Sequence, residues 1–108
     1  MASILLVGLE SALVDELTRV LRQLGQNVQA ASAGTDIQLI FTSESGLAST
    51  QQSHPGVPVI VVSRVPEVSA WLHALEQGAA DYCGAPFEAR QVRWALNSSL
   101  ALTNRIAA

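Results

Sequence analysis

Few side chains in this sequence stand where residue type and spacing would support catalysis or metal binding. Ser63 ends an apolar run, but no G-x-S-x-G elbow surrounds it, and a nucleophilic serine also needs a general base. Cys83 has no such base nearby in sequence, so we expect a small buried hydrophobe, with a reactive thiol as the alternative. His54 and His73 have no cysteine or carboxylate at ligand spacing and are expected at the surface. These patterns predict no enzyme, no metal ion and no cofactor.

The composition indicates one globular domain over residues 1–108. Hydrophobic residues make up 49% and charged residues 14%, which excludes a disordered chain. The net charge of −3 argues against direct nucleic-acid binding, which normally needs a basic surface. The first apolar run, Ile4–Val7, is too short for a membrane span and lacks the basic flank of a signal peptide. With one cysteine and no intrachain disulfide, the chain is expected in the cytoplasm, away from membranes.

Short β-type runs alternate with helical periodicities along the chain, which is typical of a parallel sheet covered by helices on both faces. Strands are predicted at Ile4–Val7, Asn27–Ala31, Asp36–Thr42, Val57–Ser63 and Ala79–Cys83. Helices are predicted from Ser11 to Gly25, weakly within Ser43–His54, from about Pro66 to Gly78, and from Glu88 to about Asn104. The expected fold class is therefore α/β.

The connection between the second and third predicted strands is unusually short. Only about four residues, Ser32–Thr35, join them, whereas parallel neighbours normally need a crossover of a dozen or more. We therefore expect the helix at this place to be missing or reduced. The buried stripes of the last two helices are predicted from helical spacing at Val68, Leu72 and Leu75, and at Val92, Leu96 and Leu100.

Three segments of the second half have correct mutual spacing for a known family. The run Val57–Ser63 ends in a serine, Gly78–Tyr82 reads G-A-A-D-Y, and Ala85-Pro86-Phe87 follows. Together they resemble the fourth strand, the turn into the fifth strand and the K-P-F motif of the receiver domain of bacterial two-component response regulators. The resemblance covers roughly residues 3–104 and implies a flavodoxin-like sheet with strand order 2-1-3-4-5.

The phosphorylation site that this resemblance implies is degenerate. Gly8 and Leu9 stand where the family has acidic metal ligands, Phe41 where it has the phosphorylated aspartate, and Ala85 where it has a lysine. Only Ser63 and the Pro86-Phe87 pair keep the family's residue types, and the chain contains no lysine at all. Because phosphoryl transfer depends on these charges, the resemblance implies a pseudo-receiver that works without aspartyl phosphate, in signal transduction.

Two alternatives remain at this stage. With Leu9 and Phe41 expected to line it, the crevice at the carboxyl ends of the strands should be apolar, so a small apolar ligand is one alternative. The other is the receiver-like domain of amidase-type antiterminators, which Ile40–Ser43 and the reduced second connection resemble more softly. The effector helices of such proteins are absent from this sequence.

Three aromatic residues are the predicted contact residues for a partner. Trp94 is out of register with the buried stripe of the last helix, and Trp71 borders the stripe of the helix before it. Tyr82 occupies the position of the family's switch aromatic on the fifth strand. Receivers use the face formed by these elements to dimerise or dock partners, and exposed aromatic residues are enriched at such sites. The resemblance thus implies a homodimer or a protein partner at this face.

Overall fold

The computed structural model describes residues 3–29, 37–64 and 68–107, and the side chains within them except those of residue 29 and residues 101–107. The strands are β1 (Ser3–Leu6), β2 (Asn27–Gln29), β3 (Leu39–Thr42), β4 (Val59–Ser63) and β5 (Asp81–Gly84). The helices are α1 (Ser11–Gln23), α2 (Leu47–Ser53), α3 (Val68–Glu76) and α4 (Ala89–Ala107), with a 3-10 turn at Glu44–Gly46.

The five strands form one sheet in the order β2-β1-β3-β4-β5, and every neighbouring pair is parallel. This confirms the predicted flavodoxin-like order. Strand β3 is central, and Phe41 lies level with Leu6 of β1 and Ile60 of β4. Since both faces of such a sheet are covered, its inner strands are apolar throughout, and all four residues of β3 are buried.

Alternation along the strands divides the core into two layers. Helices α1 and α4 cover the face that carries Phe41 and Cys83, and together these residues form one apolar cluster. Helices α2 and α3 cover the other face, which carries Ile40 and Tyr82. The molecule is thus a sheet between two helical layers, as predicted.

Helix α1 shows how local sequence sets a boundary. Leu13, Leu17 and Leu21 recur at helical spacing and are buried against the sheet. Gly25 then adopts φ +79°, and its N–H donates to the Arg22 carbonyl while the next N–H donates to the Leu21 carbonyl. This pair of bonds is the Schellman arrangement that ends a helix at glycine, so the predicted end at Gly25 is confirmed.

Three strands begin later than predicted. Strand β3 begins at Leu39, β4 at Val59 and β5 at Asp81. The residues before them, Ile37, Val57 and Ala79, still pack on the core although they precede the strands. An apolar residue in the sequence indicates burial, but it does not indicate that the backbone is hydrogen-bonded to a neighbouring strand. The predicted strands therefore began too early. Strand β1 is displaced by one residue, and the predicted connection at residues 32–35 lies outside the described residues.

The prediction for the buried face of α3 is wrong. Val68, Leu72 and Leu75 are exposed, and Val68 retains 68% of its accessible surface. The buried residue of this helix is Ala74, with Ala70 partly buried beside it against the core. Small side chains face the sheet, so the large apolar ones point outward. In contrast, the predicted stripe of α4 is confirmed at Val92 and Leu96, which are buried, and at Leu100, which packs on them.

Candidate functional site

A shallow depression of about 760 Å³ lies where the carboxyl ends of β1, β3 and β4 meet. Polar and apolar side chains both line it. Gly8 and Leu9 follow β1, Ser43 and Ser45 follow β3 with their hydroxyl oxygens 3.2 Å apart, and Ser63 ends β4. The expectation of an apolar crevice holds only in part: among the described residues, Leu9, Leu13 and Val62 contribute apolar side chains to it, beside serines and charged side chains.

An ion pair closes one side of this depression. Arg64, the residue after β4, donates from Nε to the Glu10 carboxylate, which follows β1. Both side chains are about half exposed, so the pair adds little stability, on the order of 0–1 kcal/mol. It does neutralise the carboxylate nearest to the position where the resemblance puts a metal ligand. The sequence reading missed Arg64, although a cation directly after a buried strand was a readable signal.

Two of the predicted site positions do not line the depression. The Phe41 ring has 0% exposure and packs between β1, β4 and helices α1 and α4. It points into this layer because side chains alternate along β3, and the strand continues to Thr42 before the polar loop begins. Ala85 packs on the same cluster and lines a different groove. The prediction that Phe41 borders the crevice is wrong.

Two glycines in the loops around the depression stand where a side chain would be strained or would overlap a neighbour. Gly8 has φ +68°, a conformation that residues with a side chain rarely adopt. A Cβ at Gly46 would lie 2.5 Å from Thr42 Oγ1, an overlap that requires movement. Thr42 is fully buried, and within the described part of the chain its hydroxyl has no hydrogen-bond partner. The loops around the end of β3 are thus tightly packed against this threonine.

The Tyr82 side chain points inward. Its side chain is 8% exposed, and its hydroxyl donates to Glu44 Oε1 at 3.3 Å, in the turn after β3. Tyr82 is thus less exposed than expected of a contact residue, but it does line the groove described next, so its contact with a partner stays a prediction. Glu44 also lines the depression, so this one hydrogen bond connects the two surfaces.

A second concave surface, the interhelical groove, lies over β5 between α3 and α4 and has a volume of about 520 Å³. Trp71 of α3 and Trp94 of α4 both line it, with 43% and 66% of their surfaces exposed. The structure therefore brings together the two predicted tryptophans, and it confirms that Trp94 points away from the core. The exposed Val68 lines the same groove.

The polar side chains of the interhelical groove include two carboxylates that the sequence placed in a motif and at a helix start but did not indicate as site residues. Asp81 begins β5, and its Oδ1 accepts a hydrogen bond of 2.8 Å from the Tyr82 N–H. Glu88 precedes α4, and Gln91 lies one turn further along that helix. Since these residues belong to three elements, no sequence motif joins them.

The start of α4 is fixed by a contact with α1. The Phe87 N–H donates to Glu16 Oε1 at 3.1 Å, and the Phe87 ring is buried with the α1–α4 layer. On the other side of a cis Ala85–Pro86 bond, the Ala85 N–H donates to the Ser63 carbonyl at 2.8 Å. These bonds hold the β5–α4 loop, and with it Glu88, against the sheet.

Cys83 is buried next to this groove and is chemically quiet. Burial, and secondarily the Asp81 charge, raise the pKa of the Cys83 thiol from 9.0 to about 12. A reactive cysteine needs the thiolate, so the geometry supports the reading as a small hydrophobe. Among the described residues, no group of three histidine, cysteine or carboxylate side chains lies close enough to hold a metal ion.

We expect iodoacetamide to alkylate Cys83 at pH 8 at least about a hundredfold more slowly in the native protein than in urea, because the thiolate is scarce and enclosed. The raised pKa of Cys83 also predicts how stability depends on pH. The stabilisation by the neutral thiol is fully present below pH 9 and is lost as pH rises toward 12. The stability difference between wild type and Cys83→Ala, measured by urea unfolding, should shrink over that range. A constant difference would contradict the raised pKa.

The sheet order, the two helical layers and the loops gathered at the carboxyl ends of the strands define a flavodoxin-like fold of the receiver type. No described helix is both long enough and apolar enough to span a membrane. No protein-family model matches the chain, and no curated protein matches its sequence.

Solved structures share this fold at low sequence identity. The chain is similar to a response regulator receiver domain protein from Clostridium thermocellum, with a TM-score of 0.81, 18% identity, and coverage of 98% of this chain and 99% of the other. It is similar to NtrX from Brucella abortus in complex with ADP, with a TM-score of 0.84 and 21% identity, over 99% of this chain but 28% of NtrX. HP1043, an orphan response regulator of H. pylori, gives 0.69 and 23%, over 92% and 96%. The chain has the receiver-domain fold.

Proposed function

We propose that this chain is an atypical receiver domain of a response regulator, which acts in cytoplasmic signal transduction by binding other proteins and not as an enzyme. One observation carries the proposal. Among the side chains that the structure describes on helices α3 and α4, five large hydrophobic ones are exposed: Val68, Trp71, Leu72, Leu75 and Trp94. Exposed apolar patches on small domains mark interaction sites.

The depression supports the part of the proposal that concerns phosphorylation. A phosphoryl acceptor needs an ionised carboxylate beside a metal ion. Glu10 is paired with Arg64, and Glu44 accepts a hydrogen bond from Tyr82, so both carboxylates that line the depression within the described residues are already engaged.

Millimolar magnesium with beryllofluoride or acetyl phosphate should change neither tryptophan fluorescence nor melting temperature. The reason is that no carboxylate among the described lining residues is free to accept a phosphoryl group, and the sequence contains no lysine. Trp71 and Trp94 are the only tryptophans, so the emission reports on the two helices that a receiver would move. The same additions without magnesium are the control. A saturable, magnesium-dependent response would contradict phosphorylation independence.

A further inference from the structure

The interhelical groove combines two indole rings with two carboxylates. Trp71 and Trp94 line it from opposite helices, and Asp81 and Glu88 supply its charges. Among the described residues that line it, none is basic. An aromatic ring attracts a cation to its face, and a carboxylate pairs with the same cation. The groove therefore presents the chemistry of a cation site that is also apolar.

We propose that this groove binds an arginine side chain of a partner protein, with the guanidinium against Trp71 and Trp94 and its N–H groups directed to Asp81 and Glu88. The inference rests on the proposed function and names the chemistry that its partner must offer. Gln91 is exposed on α4, the helix of Trp94, and its side-chain carbonyl can accept a further hydrogen bond from the guanidinium.

Arginine fits better than lysine for geometric reasons. The guanidinium is planar, so it stacks on an indole and still donates two parallel hydrogen bonds to one carboxylate. A lysine ammonium is a compact, strongly hydrated point charge that does neither as well. Asp81 Oδ1 already accepts the Tyr82 N–H, which leaves its second oxygen for the guest and makes Glu88 the carboxylate available for a two-point contact.

The guest is a polypeptide rather than a free cation. The groove, at about 520 Å³, is much larger than one side chain. Its apolar wall continues outward along α3 through Leu72 and Leu75, which are exposed beside Trp71. Apolar residues flanking the arginine of a partner segment would cover this stripe, whereas a small cation would leave it in water.

Charge complementarity favours a different protein over a second copy of this chain. The chain carries a net charge of −3, and two of its carboxylates, Asp81 and Glu88, line the groove. A basic segment is attracted by both, while a second copy carries the same negative charge. Arg90 and Arg93 lie on the exposed side of α4, so the second copy remains an outcome that the experiment must separate.

The test is selection of random dodecapeptides displayed on phage against the immobilised protein. We expect the selected peptides to share an arginine flanked by apolar residues. Replacing that arginine by citrulline, which has nearly the same shape but no charge, should weaken binding by about tenfold or more, as tryptophan fluorescence measures it. Selected peptides without a common arginine, or a citrulline peptide that binds equally well, would overturn the inference.

Matched variants locate the site. Asp81→Asn with Glu88→Gln should weaken the arginine peptide about tenfold or more, because both charged acceptors are lost while size is kept. Glu76→Gln removes one exposed charge on α3 outside the groove and should change binding less than about twofold. Equal effects of both changes would mean general charge attraction and would overturn the groove as the site.

Two further outcomes separate this inference from the proposed function. If apolar peptides without arginine are selected and their binding depends on Trp94, the inference fails and the interaction role stands. If no peptide binds, both fail. A dimer in sedimentation velocity that Arg93→Gln or Arg90→Gln dissociates would assign the groove to a second copy and overturn the foreign partner.

Discussion

Replacing Phe41 by aspartate should unfold the protein rather than create a phosphoryl acceptor. The ring is completely enclosed in the α1–α4 layer. Removing a buried phenylalanine to alanine costs about 3–5 kcal/mol, and an unpaired carboxylate in its place adds a further desolvation cost. A small domain has a total stability of about 5–15 kcal/mol. We expect Phe41→Asp to lack a cooperative melting transition by circular dichroism.

Two comparisons test the cause of that effect. Phe41→Leu keeps an apolar side chain and should lose only about 1–2 kcal/mol in urea unfolding. Ser43→Asp puts the same carboxylate two residues later, at the polar rim of the depression, and should stay within about 0.5 kcal/mol of wild type. A folded Phe41→Asp protein of near wild-type stability would contradict the placement of this ring in the core.

Trp94→Ala should weaken association through the α3–α4 surface strongly while leaving the fold intact. The side chain is 66% exposed, so its loss removes few contacts within the chain. Burying such a ring against a partner contributes roughly 1.5–3 kcal/mol by the area rule, equivalent to about tenfold to a hundredfold in dissociation constant. Sedimentation velocity of the chain and fluorescence titration with a selected peptide both report this change, and urea unfolding reports the stability.

Trp71→Ala should be compared with Trp94→Ala. The Trp71 ring is 43% exposed, so we expect its loss to weaken association and also to lower the free energy of unfolding. Asn97→Ala, one turn beyond Trp94 on the exposed side of α4, is the control and should change neither. An unfolded Trp94→Ala protein would show that this ring belongs to the core. Unchanged association in both tryptophan variants would remove the surface as an interaction site.

The fold was predictable because its determinants are local and periodic. One strand is predicted by each of the apolar runs at β1 and β4, and one helix by the leucine spacing of α1. The segments Gly78–Tyr82 and Ala85–Phe87 then mark where β5 begins and ends. The order 2-1-3-4-5 came from the resemblance and not from periodicity. Strand ends were less certain, because residues such as Val57 pack on the core without belonging to the ladder.

The face of α3 was not predictable from the size of its apolar residues. Val68, Leu72 and Leu75 form a regular stripe, which normally indicates the buried side of a helix. Here Ala70 and Ala74 face the sheet instead, because α3 lies over β5 at the sheet edge and the large residues find no cover within the described chain. A pattern shows that a stripe is apolar, but it does not show what covers it.

The residues of the two concave surfaces could not be predicted from sequence motifs. The pairing of Glu10 with Arg64 joins residues 54 positions apart, and the groove combines Trp71, Glu88 and Trp94 from separate elements. The resemblance indicates only the positions at which the family's charged residues are missing. The pairing of Glu10 with Arg64 and the place of Glu88 in the groove depend on the three-dimensional fold.

The hydrogen bond between Tyr82 and Glu44 bears on how the amount of bound partner could be controlled. In the structure it holds the Tyr82 ring inward through a carboxylate of the chain itself, and under the proposed function a groove that keeps this shape would bind its partner without a switch. Occupancy of an unchanging surface follows mass action alone. A concentration change of roughly a hundredfold then takes it from about a tenth to about nine tenths. Under the proposed function, the concentrations of the chain and of its partner would then set how much complex forms.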